Sequence, residues 1–124
     1  MTANSLEAHV RHQPRVAIID LHGEINAFAE DVLNTAYTDA ESRKADVILL
    51  NFSEVDYINS TGIALIVSLL ARARKSKRRL LACGLSNHYV EIFQITRLVD
   101  FMSVFPDEKS ALAEGQASII SSPE

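Results

Sequence analysis

The stretch that most constrains the fold is Ala45-Asp46-Val47-Ile48-Leu49-Leu50-Asn51-Phe52. Its apolar residues run almost without a break, leaving no polar side to offer to water. A strand of this kind is covered on both faces, as the central strand of a largely parallel sheet is. The rest of the chain must therefore supply neighbouring strands and the helices that cover them.

It does so in alternation. Leu6, Ala8 and Val10 alternate with polar residues before a turn at Gln13-Pro14, where proline fixes φ and donates no hydrogen bond. Val16–Leu21 is then a β-branched run closed at Gly23, so the two segments read as a hairpin. From Asn26 onward Ala29, Val32, Leu33, Ala36 and Ala40 recur at helical spacing, with Asn26 as N-cap and Glu30 and Asp31 in the early turns. Ser53–Ile58 reads as a polar connection to a second helix, Ile63–Lys75. Arg79–Gly84 is a further short strand and Ser86–Arg97 a third helix. Met102–Phe105 fits an edge strand, because Pro106 has no N–H to donate. Asp107–Glu114 closes the chain as a short helix with Asp107 at its cap. Residues 1–5 and 116–124 read as flexible ends around one domain spanning 6–115. Strands alternating with helices after a hairpin predict an α/β domain with a mixed sheet of four to five strands and about four helices.

Composition narrows the function classes. Twelve Lys and Arg against 16 Asp and Glu give the 124 residues a net charge of −4. That balance argues against direct nucleic-acid binding, which needs a basic surface. The longest apolar stretch, Ile63–Ala71, is broken by Ser68 and too short for membrane insertion. Met1–Asn4 lacks the basic and apolar regions of a secretory signal, and the lone Cys83 has no disulfide partner, so a cytoplasmic location is expected.

Catalytic and metal-binding patterns are weak. Cys83 and His88 are too few for a zinc site, and Cys83 reads as a buried strand residue. His12 and His22 are placed to approach each other across the opening hairpin, yet no carboxylate or thiol joins them. Ser60 has no base at triad spacing, no Gly-rich phosphate loop is present, and Asp56 alone does not make a general base. No enzyme activity, cofactor or metal is expected. The basic run Arg72, Arg74, Lys75, Lys77, Arg78 and Arg79 complements the end of the second helix dipole and reads first as a solvated face.

The informative segment is Asn59-Ser60-Thr61-Gly62, where the chain enters the second helix. From the residues alone it is a helix cap, with either Asn59 or Ser60 accepting from the first free N–H groups. The same position suits a phosphate, which would add roughly −1.5 to −2 charges where the helix dipole favours anions. At 3.6 residues per turn, Ile63, Ile66, Val67 and Leu70 form the stripe expected to face the sheet. Leu65 and Leu69 then lie off that stripe, beside Ser68 and Arg72, as an apolar pair that either docks a partner or is covered by another helix of the same domain.

Leu21-His22-Gly23-Glu24-Ile25 ahead of the first helix and Asn59-Ser60-Thr61-Gly62-Ile63 ahead of the second, in this element order, resemble a STAS domain. More narrowly they resemble the bacterial anti-sigma factor antagonists. The resemblance runs from about Leu6 to Ala113, with Val47–Phe52 as central strand, Leu80–Leu85 as the next and Ile92-Phe93 in the third helix. It implies a STAS-type fold and indirect regulation of transcription. The unphosphorylated protein would bind an anti-sigma factor serine kinase. Phosphorylation at Ser60, with Thr61 as second choice, would end that binding, and a serine phosphatase would restore it. The implied partner surface comprises Asn26, Asn59, Ser60, Thr61, Gly62, Leu65, Leu69 and Arg72, and a homodimer is compatible with it. Asn59 and Asn26 stand where the family commonly has Asp, which removes negative charge beside the site while keeping the capping oxygens. A constitutive, stressosome-like scaffold and an accessory STAS subunit of a transport system are the alternative readings.

Overall fold

The computed structural model of the chain describes residues 5–120. Five strands form one sheet in the order β1-β2-β3-β4-β5. They are β1 Glu7–Gln13, β2 Val16–Ile25, β3 Val47–Ile58, β4 Arg79–Cys83 and β5 Ser103–Phe105. The helices are α1 Glu30–Glu41, α2 Ser60–Lys75, α3 Asn87–Ile95 and α4 Glu108–Ile120. The β1–β2 pair is an antiparallel hairpin and every later pairing is parallel, so the sheet is mixed as expected.

The strand order explains the layering. From β2 to β5 each strand is laid down beside the last, always on the same side, and each step is a crossover through a helix. Right-handed crossovers stepping in one direction put all their helices on one face. Accordingly α1, α2 and α3 bury Leu33, Tyr37, Ile66, Leu69, Tyr89 and Phe93 against Ile19, Ile48, Leu50, Phe52 and Ala82 of the sheet. The opposite face, with Val16, Ile18, Val47, Leu49 and Leu81, is covered by Ala111 and Leu112 of α4. The side chains of β3 thus alternate between two apolar layers, which is why Val47–Leu50 reads as an unbroken apolar run. Cys83 is fully buried in β4, as its strand context implied, and burial pushes its thiol up to about 11.

Several boundaries differ from expectation. Ser53–Ile58 is the second half of β3 rather than a connection. It goes on pairing with β2 as far as Ile25↔Ile58, although β4 stops at Asn51↔Cys83. Ser53, Glu54, Asp56 and Tyr57 are exposed there, so the strand reads as a loop in a hydrophobicity pattern. β2 likewise continues past Gly23 to Ile25. A 3₁₀ turn, Ala27–Ala29, precedes α1. α3 ends at Ile95, because Arg97 adopts φ 67° and a 3₁₀ turn, Leu98–Asp100, follows. α4 runs to Ile120, beyond the expected end at Glu114. Of the flexible ends expected at 1–5 and 116–124, residues 116–120 belong to α4, and residues 1–4 and 121–124 lie outside the described residues. His12 and His22 do not meet: His12 lies opposite Ala17 and His22 opposite Glu7, at the two ends of the hairpin.

A charged network ties the sheet to α4. The Arg11 guanidinium donates to Asp20 at 2.6 and 2.9 Å and to Glu108 at 2.5 and 3.1 Å. The Asn51 amide donates to Asp20 at 2.8 Å. Arg11 holds the Asp20 carboxyl below its ordinary value, with Asn51 assisting against partial burial. A depressed carboxylate stabilises the fold above its unfolded value of about 3.9, and that contribution is lost as pH falls through the lower folded value. Asp20→Asn is therefore expected to cost about 1–2 kcal/mol at neutral pH, at the lower end of a charge-assisted pair because the group is partly solvated. The difference from the parent should shrink as pH falls below that unfolded value and through the lower folded one, as followed by urea unfolding across pH.

Candidate functional site

The carboxyl ends of β2 and β3 lie side by side, and each delivers an asparagine to a helix start. After β2, Asn26 accepts a hydrogen bond from Phe28 N at 2.9 Å and caps the 3₁₀ turn that leads into α1. After β3, Asn59 takes extended geometry (φ −93°, ψ −177°) and accepts from Gly62 N at 2.8 Å. Of the two candidate caps of α2, Asn59 is the one used, and Ser60 becomes the first residue of the helix.

Two backbone contacts fix this junction. Asn59 N donates to the Ile25 carbonyl at 3.2 Å, and Ile58 N donates to the Tyr89 hydroxyl of α3 at 2.9 Å. Gly62 is then driven against β2: a Cβ there would stand only 2.1 Å from the Ile25 carbonyl oxygen. Only a residue without a side chain lets α2 start this close to the sheet.

With Asn59 N and Gly62 N paired, the N–H groups of Ser60 and Thr61 have no partner among the described residues. They belong to the first turn of α2, which holds no acidic residue. Both side chains are exposed. The arrangement presents a hydroxyl at a helix N-terminus with free donors around it, which favours an anion there. Beside it, Phe28 is 92% exposed and Tyr57 is 52% exposed. Phe28 is not legible in the sequence, because a lone aromatic just after a strand carries no periodicity. Its only signal is its place two residues beyond the capping Asn26.

The helix stripe is rotated from the expected one. Gly62, Ile66, Leu69, Leu70 and Ala73 face inward, while Val67 is exposed. Leu69 is 1% exposed and lies in the core, so of the two readings of Leu65 and Leu69 it is coverage within the domain that the structure shows for Leu69. Leu65 is half-buried against the same core. The reason is the contact between Gly62 and Ile25, which sets the phase of the helix from its first turn. Arg72 is also engaged within the molecule. Its guanidinium lies 4.4 Å over the Tyr37 ring and donates to Glu41 at 3.0 Å, tying α2 to α1. Asn26, Asn59, Ser60, Thr61 and Gly62 are thus brought together, and Leu69 and Arg72 serve the fold instead.

No helix among the described residues is long and apolar enough to cross a membrane. No group of three or more His, Cys, Asp or Glu there is placed to hold a metal ion. Fold and site together define a small α/β domain whose distinctive surface is a helix start rather than a cleft. The family model for the STAS domain matches residues 7–111, and the chain belongs to that family. The anti-sigma-B factor antagonist of Listeria monocytogenes is 27% identical over 100 residues, covering 81% of this chain and 87% of that protein. Among solved structures, the Bacillus cell fate determinant SpoIIAA in its phosphorylated form aligns with TM-score 0.66 at 19% identity, covering 86% of this chain and 97% of that one. A sulfate transporter family protein from Wolinella succinogenes aligns with TM-score 0.77 at 19% identity, covering 90% and 93%. Both structural likenesses concern the fold.

Two substitutions separate capping from exposure. Asn59→Ala is expected to cost about 1 kcal/mol in chemical denaturation, while Ser60→Ala stays within about 0.5 kcal/mol, since Ser60 caps nothing. Gly62→Ala is expected to cost about 2 kcal/mol or more, because the methyl group meets a backbone carbonyl that cannot turn aside. A thermal melt unshifted by Gly62→Ala would contradict the role given to that contact.

Proposed function

We propose that the protein is an anti-sigma factor antagonist working by partner switching. In its unmodified form it binds an anti-sigma factor serine kinase and so frees a sigma factor. The kinase phosphorylates Ser60, the complex dissociates, and a serine phosphatase resets the switch. The protein itself carries out no catalysis, acts in the cytoplasm, and touches nucleic acid only through this chain of partners.

The observation that carries the proposal is the state of Ser60: exposed, first in α2, outside the cap, beside two N–H groups without partners among the described residues. A phosphate at that position finds donors and a favourable helix dipole within its own molecule, so the fold tolerates it. Its effect falls on whatever docks there. A dianionic group cannot be dehydrated against a partner surface without a matching cation, so the docked state loses affinity with no refolding. The names of the curated relatives support this reading over that of a transporter subunit, for which the structural neighbour contributes fold likeness alone.

The proposed docking surface comprises Asn26, Asn59, Ser60, Thr61 and the flank of Leu65, seated by the buried Gly62, with Phe28 as its apolar anchor. An aromatic so fully exposed beside a polar rim is the arrangement from which binding energy is concentrated in one residue. Thr61, equally exposed, is the second acceptor.

Incubation with the cognate kinase and ATP, followed by peptide mapping, is expected to place the phosphate on Ser60 and to give no label in Ser60→Ala. Ser60→Asp should weaken kinase binding about tenfold or more in titration calorimetry, by less than phosphate does because it carries a single charge. Phe28→Ala should lose a comparable amount. Label at neither Ser60 nor Thr61 with the true kinase would rule the switch out.

A further inference from the structure

The outward face of α2 carries a second feature that the switch does not use. Val67, 45% exposed, and Phe101, 54% exposed, wall a shallow apolar groove with Leu70, Ala71 and Arg74. The Arg74 guanidinium lies 5.0 Å over the Phe101 ring and has no carboxylate partner among the described residues. The groove therefore joins apolar surface to an available cation.

Spacing along the helix says what fits it. Ser60, Val67 and Arg74 are seven residues apart, so each step returns to the same side of the helix with a drift of about 20°. All three are exposed, with Val67 at the midpoint. A second copy packed antiparallel about a two-fold axis through Val67 sets Val67 on Val67 and Arg74 of each copy opposite Ser60 of the other. At the usual 8–10 Å between packed helices, an arginine reaches the residue facing it. In the unmodified pair the cationic end of each α2, with Arg74, faces the positive N-terminal end of the other, so the match lacks an anion until one is placed on Ser60.

We propose that this face of α2 is a homodimer interface, closed isologously over Val67 and the Phe101 groove, and that a phosphate on Ser60 tightens it by pairing with Arg74 of the other copy. The phosphate arm rests on the reading of Ser60 as the modified residue, and the apolar arm does not. The charge match is made twice in each dimer, as two-fold symmetry requires, and each match is a guanidinium–phosphate pair. Phosphorylation then does more than end kinase binding. It gives the modified protein an alternative occupant for the helix face next to the switch.

Sedimentation velocity over a concentration series tests this, using the full chain unmodified and with phosphoserine placed at position 60 during translation. The unmodified protein is expected to dimerise weakly, and phosphoserine to lower the dimer Kd at least tenfold at low salt. Arg74→Glu should remove that gain, and the double variant Ser60→Lys, Arg74→Glu should recover it by reversing the charges. Val67→Glu should leave both forms monomeric, with an unchanged circular dichroism spectrum because the residue is exposed. Monomeric sedimentation of both forms up to about 1 mM overturns the proposal, as does a dimer indifferent to Val67→Glu. A phosphoserine gain that survives Arg74→Glu overturns the phosphate arm. Because phosphoserine enters by translation, a kinase that fails to label Ser60 counts against the switch alone.

Discussion

The contact between Gly62 and the Ile25 carbonyl is the constraint from which the surface of this protein follows. It brings the first turn of α2 onto the end of β2 so closely that no side chain fits between them. Once that turn is seated, the helix has one phase. Ile66, Leu69 and Ala73 must face the sheet, and Ser60, Val67 and Arg74 must face away. The same seating places Asn59 N on the Ile25 carbonyl and leaves the Asn59 side chain to take the Gly62 N–H. The exposure of Ser60 is thus a consequence of backbone packing two residues away. From the α3 side, the Tyr89 hydroxyl takes the Ile58 N–H, so the residue preceding the cap is held as well. A strand end gripped from two elements and a glycine pressed on a carbonyl make a rigid base for an exposed hydroxyl.

Much of this architecture was legible in the sequence. The unbroken apolar run of β3, the alternation of strands and helices, the edge strand before Pro106 and the buried Cys83 follow from local pattern. The capping role of Asn26, and a cap of α2 at either Asn59 or Ser60, followed from residue type and position, and the structure uses Asn59. What the pattern misplaced was set at long range. Ser53–Ile58 looks like a loop because its exposed residues are polar, and only the continued pairing with β2 makes it a strand. Val67 and Leu69 exchange their expected places because the apolar residues of α2 nearly encircle it. With so many apolar positions, periodicity admits more than one stripe, and the Ile25 contact chooses. A glycine in the first turn, where it costs about 1 kcal/mol relative to alanine, was the available clue that a close approach governs the helix. Phe28 had no comparable signal, since its exposure is a property of the turn that Asn26 builds.

The basic run after α2 shows how composition misleads when geometry is absent. Six cations within eight residues read as one solvated patch, but the structure divides them. Arg72 and Arg78 converge on Glu41, and Arg78 also donates to the Ala45 carbonyl at 2.8 Å. These two secure α1 to α2 and to the start of β3. Arg74 points outward over Phe101 instead. The net charge of −4 likewise says little about any one face, because a site that meets a partner feels only charges within about a Debye length.

The two asparagines at the site bring these threads together. An aspartate at either position would cap as well, since the capping oxygen is common to both side chains. What asparagine omits is the charge. A phosphate on Ser60 would be repelled by a carboxylate at 59 or 26, and with asparagines it meets amides and the free N–H groups of Ser60 and Thr61. The modified state is then electrostatically easier within this chain than it would be with two aspartates nearby. The contrast between the two states grows correspondingly at the surface, since the unmodified site is close to neutral and the modified one is not. A switch is read by the difference between its states, and here neutral caps leave that difference almost wholly to the phosphate.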